Sequence, residues 1–117
     1  MKKAVIYARV SSKEQEREGF SIPAQLKLLR EYAARNDFSI VKEFVDIETA
    51  KTSGRQNFDE MVRFFTKRRD CRLGLVEKTD RLYRNFRDAV TLEDLDMEIH
   101  LSRKGRSFRR TPNRKPS

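Results

Sequence analysis

The sequence has almost none of the residues from which disulfide frameworks and metal sites are built. Its 117 residues include one cysteine, Cys71, and one histidine, His100. A single cysteine excludes an internal disulfide, which suits the reducing environment of the cytoplasm. One cysteine and one histidine do not form a cluster of zinc ligands, so we predict no structural metal site.

Long apolar runs are also missing. No stretch approaches the roughly 18 consecutive apolar residues that a membrane span requires. The N-terminus does not resemble a secretory signal, because only a short apolar run separates Lys2 and Lys3 from Arg9. We therefore expect no membrane partner and a cytoplasmic location.

Acidic residues are absent from the C-terminal segment 102–117, which contains seven Lys or Arg residues. The whole chain has 27 basic and 18 acidic residues and a formal net charge of +9. Removing the seven basic residues of this segment leaves 20 basic and 18 acidic residues, a net charge of +2 over residues 1–101. The charge of the main part therefore does not by itself indicate a nucleic-acid partner. The segment has one large apolar residue, Phe108, and we predict a basic, disordered tail.

Hydrophobic periodicity predicts an alternation of strands and helices in the main part of the chain. Ser21 is the predicted N-cap of the first helix, and Pro23 lies in its first turn. The predicted strands cover residues 3–8, 38–45, 72–77 and 97–101, and the predicted helices cover 22–35, the region of 58–65, and 86–95.

Helices between consecutive strands imply right-handed crossovers. The sequence therefore predicts a single-domain α/β fold, with a mainly parallel sheet of four or slightly more strands and helices packed on both faces. In such sheets ligands bind beyond the carboxyl ends of the strands. Three strand ends carry polar side chains, at Arg9 to Ser11, at Asp46, and at the segment from Lys78 to Arg84.

The residue types at that edge favour phosphoryl transfer. Ser11 lies two residues after Arg9, and Arg81 and Arg84 follow the third strand. A Ser-His-Asp mechanism is excluded because the only histidine lies on the predicted fourth strand. Guanidinium groups donate paired hydrogen bonds to phosphate oxygens and remain protonated. A serine nucleophile would form a phosphoserine ester and so divide the reaction into two reversible steps.

Three short motifs occur in order along the chain. The first is Tyr7-Ala8-Arg9-Val10-Ser11-Ser12 followed by Gln15, the second is Ser53-Gly54-Arg55 with Phe58, and the third is Asp80-Arg81-Leu82-x-Arg84. Together they resemble the motifs of the serine recombinases, the resolvase/invertase family, over residues 3–101. The resemblance implies a resolvase-like catalytic domain that performs site-specific DNA recombination without a metal or nucleotide cofactor.

The resemblance also implies a role for each matching residue. Ser11 would attack a DNA phosphate, form a 5′-phosphoserine linkage and free a 3′-hydroxyl. Asp80 would orient the arginines or handle the leaving-group proton, Gln15 would help to position the site, and Asp46 lies where the family often has an acid. The phosphate ligands would be Arg9, Arg55, Arg81 and Arg84. The implied partners are DNA and, in a full-length protein, further copies of the chain in a dimer or tetramer.

The sequence departs from the family pattern at two places. Ser53-Gly54 directly precedes Arg55, which is not the resolvase spacing and makes Arg55 the least secure of the arginines. The segment 102–117 does not resemble the dimer helix and DNA-binding domain that follow in the family. From this we expect a truncated catalytic domain, monomeric or weakly dimeric, that does not recombine DNA alone, and a reading-frame shift is one hypothesis for the abrupt change.

Plainer interpretations stay open at each position. Ser12 competes with Ser11 as the nucleophile, and Asp80, Arg81 and Arg84 could form a surface ion-pair cluster. Arg55, Gln15 and Asp46 could be ordinary loop or turn residues. At the level of the whole protein, the alternatives are a non-catalytic α/β module that binds an anionic ligand and a small metal-free nuclease.

Overall fold

The computed structural model describes residues 1–13, 21–51 and 54–102, and the backbone of residues 106–109. The predicted site residue Gln15, and Ser53 of the second motif, lie outside the described residues. The elements in chain order are β1 (Lys2–Ser11), α1 (Ile22–Arg35), β2 (Phe38–Glu48), α2 (Gln56–Lys67), β3 (Leu73–Val76), α3 (Thr79–Leu82), α4 (Phe86–Asp94), β4 (Glu98–Leu101) and β5 (Arg106–Arg109).

These strands form one sheet in the order β2-β1-β3-β4-β5. The first four of them pair in parallel, and β5 pairs antiparallel with β4. The predicted α/β fold with a mainly parallel sheet is therefore confirmed. The register between β1 and β2 places Arg9 beside Asp46 and Ser11 beside Glu48.

Helices cover both faces of the sheet because successive residues of β1 point to opposite sides. Ala4 and Ile6 pack with Leu29 and Tyr32 of α1 on one face. The opposite face buries Val5 and Tyr7 under the other helices, against Phe58, Met61 and Phe65 of α2, Leu82 of α3 and Leu92 of α4. Two apolar layers thus hold the strands whose ends carry the polar motifs.

The first helix has the predicted bounds. Ser21 Oγ accepts a hydrogen bond from the Ala24 backbone N–H at 3.3 Å, so the predicted N-cap is confirmed. Asn36 caps the other end, and Asp37 takes a positive φ of 58° that stops the helix. Local chemistry therefore determines both ends of α1.

Other elements differ from the sequence-based prediction in length. The strands β1 and β2 continue to Ser11 and Glu48, beyond the predicted ends at residues 8 and 45, because they pair with each other along that whole length. The segment from Lys78 to Arg84 contains the short helix α3, which the sequence analysis did not predict.

The segment from residue 102 onward also differs from the prediction of a disordered tail. Its residues Arg106–Arg109 form β5, with Ile99 beside Phe108 in the antiparallel register. Without this pairing β4 would be an edge strand with unpaired backbone N–H and C=O groups. The pairing with β5 satisfies those groups through backbone hydrogen bonds. Because these bonds do not involve side chains, the basic composition of the segment does not prevent them. None of the helices in the described ranges is long and apolar enough to cross a membrane.

Candidate functional site

At the end of β1, a side chain rather than β3 provides the hydrogen bonds on one side of the strand. Pairing between β1 and β3 covers Ala4 to Ile6 only. Farther along, the Arg9 backbone N–H donates to Gln25 Oε1 at 3.3 Å, and Gln25 Nε2 donates to the Arg9 carbonyl at 3.0 Å. The buried amide of Gln25, from α1, thus takes the place of a neighbouring strand and keeps this end of β1 in register up to Ser11.

The Arg9 side chain joins β1 to the segment after β3. Its Nε donates to the Arg81 carbonyl at 3.2 Å, and its Nη2 donates to the Asp80 carbonyl. These carbonyls lie in the last turn of α3, where the helix leaves its acceptors without partners of its own. The hydrogen bonds from Arg9 to the end of α3 therefore bring the first and third motifs together.

A groove of about 340 Å³ lies where these segments meet, and its lining residues are Arg9, Glu48, Asp80, Arg81, Tyr83 and Arg84. Glu48 spans it. One carboxylate oxygen, Oε1, is 3.5 Å from Arg9 Nη1, and the other, Oε2, is 2.5 Å from Arg84 Nη2. Four residues of the predicted site, Arg9, Asp80, Arg81 and Arg84, therefore line one groove.

Within the groove, the Arg81 side chain, a predicted phosphate ligand, is buried, and Asp80 makes its contact with an arginine through its backbone. Arg81 is only 3% exposed and lies 3.5 Å from Glu77 Oε1, itself 1% exposed. Asp80 contacts Arg9 through its backbone carbonyl, while its carboxylate is exposed and 3.9 Å from Lys78 Nζ. Arg81 thus carries its charge inside the protein, where an unpaired guanidinium would be strongly destabilising.

Arg55 is held outside this groove by Asp88. Its Nη1 and Nη2 donate to the two Asp88 oxygens at 2.6 and 2.8 Å, and its guanidinium lies 4.5 Å from the centre of the Phe58 ring. Asp88 Oδ2 also accepts the Arg84 backbone N–H at 2.9 Å. Arg55 is therefore linked to the groove through the backbone of Arg84, and it lines a separate cavity of about 380 Å³ beside Asp46.

The contacts of Asp88 determine its protonation. Burial of this side chain raises the pKa of its carboxyl, but the hydrogen bonds from Arg55 and from the Arg84 N–H outweigh burial, and the net pKa lies below the ordinary value. The same bidentate bond raises the pKa of Arg55. At neutral pH the pair is therefore fully ionised, as a charge-assisted bidentate bond requires.

The Asp46 carboxylate accepts hydrogen bonds from neighbouring parts of the fold. It accepts the Tyr7 hydroxyl at 2.6 Å and the backbone N–H groups of Asn57 and Phe58 at 2.9 and 2.8 Å. The N-cap residue of α2, Arg55, offers no side-chain cap, so Asp46 caps this helix from the neighbouring strand. Burial and the bond to Asp46 raise the pKa of Tyr7, which keeps its hydroxyl protonated.

Ser11 and Ser12 differ in their surroundings. Ser11 is the last residue of β1, half-buried and beside Glu48 in the strand register. Ser12 is exposed and begins the turn that follows, and its backbone N–H donates to the Glu48 carbonyl at 2.8 Å.

Sequence reasoning missed Glu48, Asp88 and Gln25. Each had a signal. Glu48 is two residues after Asp46, on the same face of a strand that was predicted to end too early. Asp88 stands three residues after the N-cap Asn85, in a spacing similar to a capping box. Gln25 interrupts the apolar face of α1, where a buried amide must find backbone partners.

The two residues that bind metals most often have packing roles here. Cys71 is buried, and burial raises the pKa of its thiol. His100 Nδ1 is 2.8 Å from the Tyr32 hydroxyl, and its Nε2 is 2.8 Å from Glu98 Oε2. In the described part of the chain no three His, Cys, Asp or Glu side chains are grouped so that they could hold a metal ion.

Comparison with known families identifies one match, to the resolvase N-terminal domain, over residues 4–113. The match runs past Leu101, where the resemblance of the motifs ends, and it includes β5. None of the curated proteins matches this chain at a significant level.

Several solved structures are similar to this one. The N-terminal catalytic domain of TP901-1 integrase is 25% identical, with a TM-score of 0.74, and the match covers 91% of this chain and 82% of that one. A resolvase family site-specific recombinase from Streptococcus pneumoniae is 27% identical, with a TM-score of 0.76 and coverage of 98% and 79%. The C-terminal catalytic domain of ISC1926 TnpA, an IS607-like serine recombinase, is 25% identical, with a TM-score of 0.69 and coverage of 86% and 68%.

Proposed function

The chain belongs to the resolvase family, and from that premise we propose that it is a serine recombinase catalytic domain in which Ser11 attacks a DNA phosphodiester. The observation that carries the proposal is the groove that Arg9, Arg81 and Arg84 line at the carboxyl ends of β1 and β3. Ser11 pairs in the strand register with Glu48, another residue of that lining. A phosphodiester fits this groove by charge, and a serine beside it supplies the nucleophile.

The proposed reaction is a transesterification. Ser11 Oγ loses its proton and forms a bond to phosphorus, and the bond between phosphorus and the 3′-oxygen of the DNA breaks. The 3′-oxygen takes up a proton and leaves as a hydroxyl, while the 5′ end of the cut strand stays joined to the serine. Attack by the 3′-hydroxyl of another strand reverses these steps, so strand exchange needs no outside energy.

The arginines would stabilise the negative charge that grows on the phosphate oxygens. Arg9 and Arg84 offer guanidinium donors at the groove, held in place before DNA binds. Arg81 is buried beside Glu77 in the groove wall, so it would act on the phosphate directly only by leaving that partner. Arg55 would act directly only by leaving Asp88, so we assign it first a role in holding Asp88 and the Arg84 backbone.

Two further roles complete the proposal. Gln15 would help to position the reacting groups, and the exposed carboxylate of Asp80 would accept or return the leaving-group proton. DNA is the proposed substrate, and recombination of two DNA sites also requires several copies of the catalytic domain to assemble.

The test is a chimera in which residues 1–113, which include β5 and the whole family match, replace the catalytic domain of a serine recombinase with a known target site. Quenching the reaction in detergent should trap protein joined to DNA, and mass spectrometry after nuclease digestion should find the nucleotide on Ser11. Ser11→Ala should abolish the adduct, and the adjacent Ser12→Ala should retain it. An adduct that survives Ser11→Ala would overturn the assignment of the nucleophile.

A second candidate function is a non-catalytic module that binds an anionic ligand. It is favoured by the bond between Glu48 and the two arginines, because such a site exchanges anions without any chemistry. Under this alternative Ser11→Ala leaves anion binding nearly unchanged and the chimera forms no adduct. A metal-free nuclease, in contrast, would release cut DNA that carries no protein.

A further inference from the structure

Glu48 is held at the groove by its backbone. It lies beside Ser11 in the strand register, and its carbonyl accepts the Ser12 N–H at 2.8 Å. Gly54 packs directly onto it, since a Cβ on Gly54 would lie 3.0 Å from Glu48 Cα. Gly54 and Ser12 therefore both hold the backbone of Glu48 in place.

The carboxylate of Glu48 binds the donors that a phosphate would need. It lies between Arg9 Nη1 and Arg84 Nη2, with one oxygen toward each. Carboxylates and phosphates accept hydrogen bonds from guanidinium groups in the same way. A phosphate oxygen and the Glu48 carboxylate therefore compete for the same two nitrogen atoms.

We propose that Glu48 is a built-in substitute for the DNA phosphate, which binds Arg9 and Arg84 until a phosphate displaces it. The inference rests on the proposed function and deepens it, because it names a residue of this chain that opposes substrate binding. Glu48 keeps two arginines extended into the groove, and it sets a threshold that only a well-placed phosphate overcomes.

The contacts around Glu48 allow such a displacement. The Glu48 side chain is 37% exposed and can turn into solvent. The side chain of Asp88, which binds Arg55, is in contrast only 2% exposed. Arg9 and Arg84 are 13% and 19% exposed. When Glu48 leaves, Arg9 keeps its bonds to the carbonyls of α3, so the site does not collapse.

Titration with inorganic phosphate at constant ionic strength tests the proposal on the chain as it is. Arginine Nε–H signals in NMR spectra report binding at Arg9 and Arg84. We expect Glu48→Gln, which keeps the shape and removes the charge, to bind phosphate about two- to fivefold more tightly, the range that corresponds to losing one partly exposed competing charge.

The matched control is Glu43→Gln. Glu43 lies on the same strand and forms a bidentate pair with Arg30 at 2.7 Å, but it does not line the groove. We expect this variant to bind phosphate as the unmodified chain does. A second measurement needs no variant: the carboxyl carbon signal of Glu48 should shift during the titration with the same Kd as the Arg9 and Arg84 signals.

The outcomes separate this proposal from the proposed function. If the Arg9 and Arg84 signals respond to phosphate but Glu48→Gln binds it no more tightly than the unmodified chain, the proposed competition is wrong. The phosphate site itself would still be supported. A Glu48 carboxyl signal that stays still while the arginine signals move would contradict the competition in the same way. Silence of both arginines in both proteins would overturn the phosphate site itself, and the competition with it.

Discussion

Ion pairs at the two ends of the sheet are built differently. At the amino end, Asp70 is bonded to Lys3 at 2.8 Å and to Arg68 at 3.0 Å, and all three side chains are well exposed. At the carboxyl end, Arg9 and Arg84 are largely buried and share the Glu48 carboxylate, and Arg9 also binds two backbone carbonyls. The same kinds of residues thus form loose pairs at one end and a fixed network at the other.

The two kinds of ion pair differ in what they contribute to stability. Exposed pairs contribute little to stability because water screens them and both side chains lose freedom. Buried guanidinium groups have a large desolvation cost that a protein offsets only with complete sets of partners. An arginine network of that kind is a poor way to stabilise a fold and a good way to hold donors ready for an anion, which agrees with the proposed phosphate site.

The largest effect is expected from Arg9→Lys in the chimera. Lysine retains the charge but cannot bind two carbonyls of α3 and still present a donor to the groove. We expect the rate of DNA cleavage to fall by roughly 10²–10³, the usual effect of losing one preorganised donor. The matched control is Arg30→Lys at an exposed pair, and a cleavage rate that Arg9→Lys leaves unchanged would contradict the role of Arg9.

A stability effect is expected next from Asp88→Asn. The change leaves Arg55 without its bidentate partner and weakens the acceptor for the Arg84 N–H. We expect a loss of about 2–3 kcal/mol in the free energy of unfolding, measured in urea at pH 7. If the loss is no larger than that of Asp70→Asn, the contrast between the two ends of the sheet fails.

The pH dependence of that difference gives a sharper test. The pKa of Asp88 in the folded protein lies below its ordinary value of 3.8. Its contribution to stability is therefore present above that ordinary pKa and is lost as the pH falls through the lowered value. We expect the difference between Asp88→Asn and the unmodified chain to be constant above about pH 5 and to shrink as the pH drops below 4.

A smaller loss is expected from Gly54→Ala. Gly54 has a φ of 67°, and a Cβ would press on the backbone of Glu48. We expect a cost of about 1–2 kcal/mol and a shift of the Glu48 signals in NMR spectra. Gly74→Ala is the control, because its Cβ would meet mainly the flexible end of Met97 at 3.1 Å.

The smallest effect is expected from Asp70→Asn at the amino end. Hydrogen bonds from Arg68 and Lys3 lower the pKa of Asp70, so its carboxylate stays ionised down to strong acid. Because all partners are exposed, we expect no measurable change in Tm at pH 7. A clear drop in Tm would show that the amino end is not the loose network described above.

Residues close in sequence account for most of what could be predicted. Ser21 and the apolar spacing after it are sufficient to define α1, and the strand ends correctly indicated that Arg9, Asp80, Arg81 and Arg84 lie at one edge. The partner of Arg55 could not be predicted, because Asp88 comes from a helix 33 residues away in the chain. The unusual spacing of Ser53-Gly54 and Arg55 had marked Arg55 as the least secure of the arginines, and Arg55 lies outside the groove.

The roles of Asp46 and of the C-terminal segment likewise depended on distant parts of the chain. Asp46 is a strand residue by its own sequence, and only the approach of α2 makes it a helix cap. Residues Arg106–Arg109 have little intrinsic tendency to form a core strand, and they become β5 because β4 presents an open edge.

By itself the sequence determined the α/β alternation, the bounds of α1 and the residue types of the proposed phosphoryl-transfer site, since hydrophobic periodicity and capping act within a few residues. Only the tertiary structure decided which carboxylate meets which arginine. Glu48 lies between Arg9 and Arg84 because three segments converge at one edge of the sheet, and Asp88 binds Arg55 because the fold brings the first turn of α4 within hydrogen-bond distance of it. Electrostatic pairing follows distance in space, and spacing along the chain does not contain that distance.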